Sequence, residues 1–255
     1  MSSREIHLWF VYDEQICDSQ LLVRYHGLLD EEERSQQRRF CFEKHRHQYL
    51  ITRALIRTVL SLYVNRITPE KWQFTRNNYG KPSIGNSSIP ISLHFNISHT
   101  DKLVVLAVAV DQEVGVDVEY LIRPGKTVEL ADRFFSPSEA QQLLALPLER
   151  QNDRFFDLWT LKEAYIKACG MGLSIPLNHF SYSFPRQGEI TISFEPERND
   201  QPEYWQFWQI CPNDIHKVSL ALKTGKNNDS YSIFMREIIP LSDIIKVSYP
   251  IVMKS

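Results

Sequence analysis

Cysteine is scarce in this chain. Cys17, Cys41, Cys169 and Cys211 are scattered through 255 residues without a CxxC pair, which argues against a disulfide framework or a zinc site and for a reducing compartment. Long apolar runs are missing too. The longest, Leu103 to Val110, has eight residues, against the roughly 20 needed to span a bilayer. The opening Met1-Ser2-Ser3-Arg4-Glu5-Ile6-His7 has neither the basic start nor the apolar centre of a signal peptide, so a cytoplasmic protein is expected. Nine glycines and 13 prolines form no Gly/Ser or Gly-X-Y tract, which excludes a flexible or collagen-like chain. Nor is there an excess of charge of one sign. With 29 Lys+Arg against 31 Asp+Glu, the net charge is −2, so no general attraction to nucleic acid or to an anionic membrane is expected.

What remains is 43% hydrophobic, 12% aromatic and 24% charged residues, the make-up of an ordinary globular protein. A chain of this length buries about 70–75% of its unfolded surface and needs no metal or disulfide to fold. Ile6 to Val11 reads as a strand. A helical stretch follows from about Asp30 to Tyr63, with apolar residues at Leu50, Ala54, Ile56 and Leu60. Turn signals at Asn77-Asn78-Tyr79-Gly80-Lys81-Pro82 lead to strands at Leu93 to Ile97, Leu103 to Val110 and Val114 to Tyr120.

Pro124-Gly125 breaks the chain, and the domain division is set beside it, giving halves 1–122 and 123–255. The second half predicts helices near Thr127 to Leu146 and Asp153 to Cys169. Short strands follow near Phe180, Glu189, Tyr204 and Lys217. The apolar strands Leu103 to Ala109 and Val218 to Leu222 resemble each other. The expected fold is α+β, two similar halves with helices packed on antiparallel sheets.

Three segments carry chemistry. In Val114-Gly115-Val116-Asp117-Val118-Glu119, alternation puts the valines on one strand face and Gly115, Asp117 and Glu119 on the other. That second face reads equally as a solvated surface or as paired acids around a cation. Helical spacing stacks Trp159, Glu163 and Lys167 on one face, and a tryptophan there points to the border of a cleft. Glu163 added to Asp117 and Glu119 makes an oxygen set suited to Mg²⁺ and a phosphate ligand. Arg34, Arg38, Arg39, Arg46, Arg53, Arg57 and Lys81 supply basic partners. Asn96-Ile97-Ser98-His99-Thr100 is expected between two strands, as a plain turn or as a phosphate-binding one. No glycines flank Ser98 as a hydrolase elbow requires. His45 and His47 are spaced wrongly for two ligands on one helical face and read as surface residues.

Taken together, Tyr79-Gly80-Lys81-Pro82, Phe95 to Thr100, Gly115 to Glu119, Phe134-Phe135-Ser136 with Glu139, and Trp159 to Lys167 resemble the 4′-phosphopantetheinyl transferase superfamily. The match is to its larger, monomeric type, named for the enzyme that activates surfactin synthetase. The resemblance implies a pseudo-twofold pair of α+β halves with coenzyme A in the cleft between them. It implies transfer of the phosphopantetheine arm of coenzyme A to a serine of an apo acyl or peptidyl carrier protein, releasing adenosine 3′,5′-bisphosphate. Asp117, Glu119 and Glu163 would then bind Mg²⁺, with Glu163 also the base and Lys167 on the diphosphate. Lys81, Ser98 and His99 would hold the nucleotide end. Family members often carry basic residues where this chain has Glu33 and Gln36, and the resemblance leaves Arg34, Arg38 or Arg53 to substitute in the 3′-phosphate clamp, with Arg53 preferred. The acids by themselves also suit a Mg²⁺-dependent hydrolase of a nucleotide diphosphate, and a non-catalytic carrier-protein binder is the third reading.

Overall fold

The computed structural model describes residues 1–87, 89–122, 127–226 and 230–255, and the break expected at Pro124-Gly125 lies outside them. Strand β1 (Glu5–Val11) precedes helices α1 (Ser19–Leu28), α2 (Glu31–Arg39) and α3 (Glu43–Tyr63). A hairpin of β2 (Phe74–Arg76) and β3 (Pro82–Ile84) leads to β4 (Leu93–Thr100), β5 (Leu103–Val110) and β6 (Val114–Tyr120). Helices α4 (Ala131–Phe134), α5 (Pro137–Leu144) and α6 (Leu148–Cys169) follow, then a hairpin of β7 (Phe180–Ser183) and β8 (Thr191–Phe194). The last strands are β9 (Trp205–Asn213), β10 (His216–Lys223), β11 (Ser232–Ile239), β12 (Asp243–Val247) and β13 (Ile251–Lys254).

The helix expected from Asp30 to Tyr63 is two helices. Asp30 and Glu33 form a reciprocal capping box that starts α2, and Phe40 ends it. Glu33 also accepts hydrogen bonds from Arg53, and from Arg57 at 2.8 Å, so one buried carboxylate ties α2 to α3. The second expected helix, Thr127 to Leu146, is likewise divided, because Ser136 caps a new start at Pro137.

Two sheets form the centre, in the orders β12-β11-β1-β5-β4 and β13-β9-β10-β6. Their ladders are antiparallel except for β1 with β11, which run parallel. Strand β5 is buried along its whole length. Val104, Leu106 and Val108 pack with α3, while Leu103, Val105 and Ala107 pack with Val114, Val116 and Val118 of β6 and Leu220 of β10. The layers therefore run helix, sheet, sheet, helix, with α6 on the outer face of the second sheet. The sheets share strands across the expected division: β6 precedes residue 122 but pairs with β10, and β11 pairs with β1.

Where α6 crosses β6 the backbones nearly touch. A Cβ at Gly115 would overlap the carbonyl oxygen of Ala164 and the backbone nitrogen of Ala168. Both alanines are buried. Overpacking of this kind costs on the order of 1–3 kcal/mol. Gly115→Ala is therefore expected to lower the urea midpoint by an amount worth about 2–3 kcal/mol; an unchanged midpoint would mean that α6 is not held by this contact.

Candidate active site

The edge strands of the two sheets, β4 and β6, meet through side chains. Asn96 Oδ1 accepts from the Val116 N–H at 2.9 Å, Ser98 Oγ from the Val118 N–H at 3.3 Å, and Thr100 Oγ1 from the Tyr120 N–H at 3.2 Å. Residues 96 to 100, expected in a turn, therefore lie in a strand. Alternate polar side chains there occupy the donors that edge strand β6 would otherwise leave unpaired.

Alternation on β6 is as expected, but the polar face is not solvated. Asp117 is 5% exposed and Glu119 9%, because α6 covers them. From Phe155 to Ala168 that helix is buried except at Trp159, Glu163 and Lys167, the predicted stack, which stay half-buried. Trp159 Nε1 donates to Glu119 Oε1 at 3.0 Å. Lys167 Nζ donates to Asp117 Oδ1 at 2.6 Å and to Ser98 Oγ at 2.8 Å, and Ser98 Oγ donates to the same Asp117 oxygen at 3.0 Å. Burial pushes the Glu163 carboxyl above the usual carboxylate range. The negative Asp117 nearby pushes it the same way, and Lys167 pulls it back.

Among the described residues no three His, Cys, Asp or Glu side chains converge as a ready metal cluster. The expected three-carboxylate set is not closed, because Lys167 and Ser98 hold one oxygen of Asp117 and Trp159 holds one of Glu119. The other Asp117 oxygen, Oδ2, is buried and meets no donor. An orphaned carboxylate oxygen next to a second acid suits a hard divalent cation, and Mg²⁺ takes only one or two protein carboxylates beside waters and phosphate oxygens.

Beside this cluster a cavity of about 520 Å³ opens between the first turns of α3 and the ends of β4 and β6. Phe40, His45, Tyr49, Thr52, His99 and Tyr120 are among its lining. Strand alternation thus divides two adjacent expected residues: Ser98 turns to Asp117 and His99 to the cavity. The His99 ring is open to solvent yet closely ringed by protein. That crowding, followed by the charges of Lys167 and His45, lowers its proton affinity against the pull of Asp117.

The structure does not bring the remaining expected residues to that cluster. Arg53 is buried against Glu33 with its guanidinium 4.7 Å from the Phe74 ring centroid, and it lines a separate cavity with Asp30 and Glu33. Lys81 Nζ meets Glu113 Oε2 at 2.5 Å and the Ala168 carbonyl at 2.9 Å. Sequence reasoning missed the roles of Asn96 and Thr100, for which strand alternation was the available signal. It read His45 and His47 as surface residues: His45 is exposed and also lines the cavity, whereas His47 is half-buried with Nε2 3.0 Å from the Asp13 carbonyl. Lys162 is wholly buried and pairs with Glu139 at 2.8 Å, tying α5 to α6.

A raised carboxyl means that the folded state binds this proton more tightly than the unfolded one. The associated stability is present at acid pH and lost as pH rises through the folded pKa. In buffer containing EDTA, Glu163→Gln should therefore melt above wild type at neutral pH, with the gain shrinking as the pH falls through the raised folded pKa and gone below about pH 4, where the unfolded carboxyl is protonated too. Equal melting temperatures at neutral pH would contradict a charge held at a cost.

Comparison with known proteins gives the same assignment in both halves. The model of the 4′-phosphopantetheinyl transferase superfamily matches residues 113–223, and that of the 4′-phosphopantetheinyl transferase N-terminal region matches residues 17–111. The 4′-phosphopantetheinyl transferase HetI of Nostoc sp. is 34% identical over 224 residues, covering 86% of this chain and 88% of its own. The 4′-phosphopantetheinyl transferase Sfp of Bacillus subtilis is 32% identical over 205 residues, covering 80% and 88%. A crystal structure of Thermotoga maritima holo-[acyl-carrier-protein] synthase covers 44% of this chain and 63% of its own at 21% identity, with a TM-score of 0.36. With relatives matched along most of their length, the chain belongs to the 4′-phosphopantetheinyl transferase superfamily, as an enzyme of the Sfp type.

Proposed function

We propose that this transferase moves the phosphopantetheine arm of coenzyme A onto a serine hydroxyl of an apo acyl or peptidyl carrier protein and releases adenosine 3′,5′-bisphosphate. The observation that carries this reading is the half-open stripe Trp159–Glu163–Lys167, laid over Asp117 and Glu119, with a cavity of about 520 Å³ lined by His99 and Tyr120 from the same two edge strands. Asp117, with its orphaned Oδ2, and the neighbouring Glu163 and Glu119 are the residues that would hold Mg²⁺. A bound Mg²⁺ would neutralise charge on the diphosphate.

The chain's own groups divide the remaining work. A serine hydroxyl is a weak nucleophile, and the raised proton affinity of Glu163 suits it to take the proton as the serine oxygen attacks the phosphorus. The bond from that phosphorus to the bridging oxygen breaks, and the nucleotide bisphosphate leaves. Lys167, its ammonium fixed by Asp117 and Ser98, would stabilise the leaving oxygen with its charge. His99 and the aromatic wall of Phe40, Tyr49 and Tyr120 would receive the nucleotide, with His99 a cation for phosphate when protonated. Among the described residues no helix is long and apolar enough to cross a membrane, and we read the enzyme as a cytoplasmic monomer.

Intact-mass spectrometry of an apo carrier protein tests this directly. With coenzyme A and Mg²⁺ the carrier should gain one phosphopantetheine unit, and the gain should vanish with EDTA or with Glu163→Ala. No gain on several apo carriers, with coenzyme A bound or hydrolysed instead, would overturn the reading. Lys167→Ala should lower kcat by more than it weakens coenzyme A binding; equal losses would argue against its role on the leaving group.

A further inference from the structure

The helix that carries Glu163 and Lys167 ends against residues from the other half of the chain. Gly170 closes α6 in the left-handed conformation, φ 67°, with its N–H returned to the Ile166 carbonyl. Beyond that, its last carbonyls are taken by the turn after β2. Asn77 Nδ2 donates to the Gly170 carbonyl at 2.6 Å, and Lys81 Nζ donates to the Ala168 carbonyl at 2.9 Å. A cation at a helix C-terminus is favoured by the helix dipole as well as by the hydrogen bond. The turn is itself rigid, since Asn77 Oδ1 accepts from the backbone N–H groups of Tyr79 and Lys81 at 2.9 and 3.0 Å.

Lys81 is held in turn from behind. Glu113 places one oxygen 2.5 Å from Lys81 Nζ and the other 3.1 Å from His94 Nδ1, and His94 Nε2 lies 3.1 Å from Ser92 Oγ. The hydrogen bond from His94, joined by the one from Lys81, pulls the Glu113 carboxyl down to about 2 against the effect of burial. The carboxylate is therefore ionised at any working pH and keeps Lys81 in place.

Such an end stop has a purpose here. At its C-terminal end α6 meets β6 through Gly115, Ala164 and Ala168, small residues that offer no large knob there, while its side-chain ties to the second sheet from Trp159 to Glu119 and from Thr160 to Ser219 lie about two turns back. Lys167 directly precedes Ala168, and its hydrogen bond to Asp117 depends on where the helix stops. We propose that Lys81 and Asn77, backed by Glu113 and His94, are positioning residues that set the axial register of α6 and with it the placement of Lys167 and Glu163 against Asp117. This inference rests on the reaction proposed above. It differs from the role that the family resemblance implies for Lys81, direct contact with the nucleotide end of coenzyme A.

The two roles separate in steady-state kinetics of the full chain, with coenzyme A varied at saturating apo carrier. A misplacement of about 1 Å can cost up to about 100-fold in rate, so Lys81→Met should lower kcat about tenfold and Glu113→Ala about threefold. KM for coenzyme A should stay within about twofold of wild type in both. The double variant should be no slower than Lys81→Met alone, because Glu113 acts through Lys81. Asn77→Ala should show the same loss in kcat, and it carries the test together with Glu113→Ala if Lys81→Met fails to fold by circular dichroism. If Lys81 instead binds a phosphate, Glu113 competes with that phosphate, and Glu113→Ala would lower KM with kcat unchanged. That result overturns the inference, as would additive losses or no change in either constant. Wild type run beside Glu163→Gln keeps the two readings apart: transfer that survives Glu163→Gln, or no transfer by wild type, counts against the proposed reaction rather than against the end stop.

Discussion

A helix can lie on a strand at backbone distance only where side chains are absent or small. Gly115 opposite Ala164 and Ala168 meets that condition, and the rest of the site follows from it. Asp117 and Glu119, two and four residues further along the same face of β6, are carried beneath α6 and lose their water. From Phe155 to Ala168 the helix in turn is buried except along one stripe, and the stripe bears Trp159, Glu163 and Lys167. A bulkier residue at position 115 would lift the helix, and the Lys167 ammonium would leave the Asp117 carboxylate.

The same closeness creates an electrostatic problem that the structure resolves with neighbouring groups. Two carboxylates under a helix repel each other and are cut off from water, so each needs donors from the protein. Lys167 and Ser98 take one oxygen of Asp117, Trp159 takes one of Glu119, and Glu163 retains a raised proton affinity. Burial raises the proton affinity of this carboxylate at a cost in stability, and the same shift is what makes Glu163 a candidate proton acceptor in the proposed reaction. Two other sets of buried charges are paired between helices. Glu33 joins Arg53 and Arg57 across α2 and α3, and Glu139 joins Lys162 across α5 and α6. Buried pairs of this sort add little net stability but are costly to break singly, so they fix one arrangement of helices.

The two sheets depend on each other in a similar way. Strand β6 leaves the part of the chain that precedes it to become the edge of the second sheet, and its free N–H groups are taken by Asn96, Ser98 and Thr100 of the first sheet's edge. Because those side chains alternate, His99 is turned outward into the cavity formed with the start of α3. Strand β4 therefore both seals the seam and furnishes part of the cavity wall.

Local periodicity made much of this legible in advance. The two-residue alternation of Val114 to Glu119 gave the correct faces of β6, and the four-residue spacing of Trp159, Glu163 and Lys167 gave the correct face of α6. Both are properties of a single element. Less legible were β11 to β13, whose mixed polar and apolar residues suit strands at or near sheet edges rather than a core run. The partners of Arg53 and Lys81 were not legible at all. Their charges suggested a phosphate, but Glu33 lies 20 residues from Arg53, and the Ala168 carbonyl 87 residues from Lys81. The sequence by itself determined which side chains share a face, because that depends on backbone geometry alone. Only the tertiary structure decided whether the face of Asp117 and Glu119 met water or a helix, and which basic residues were already taken. Burial and ion pairing are set by whichever distant elements pack together.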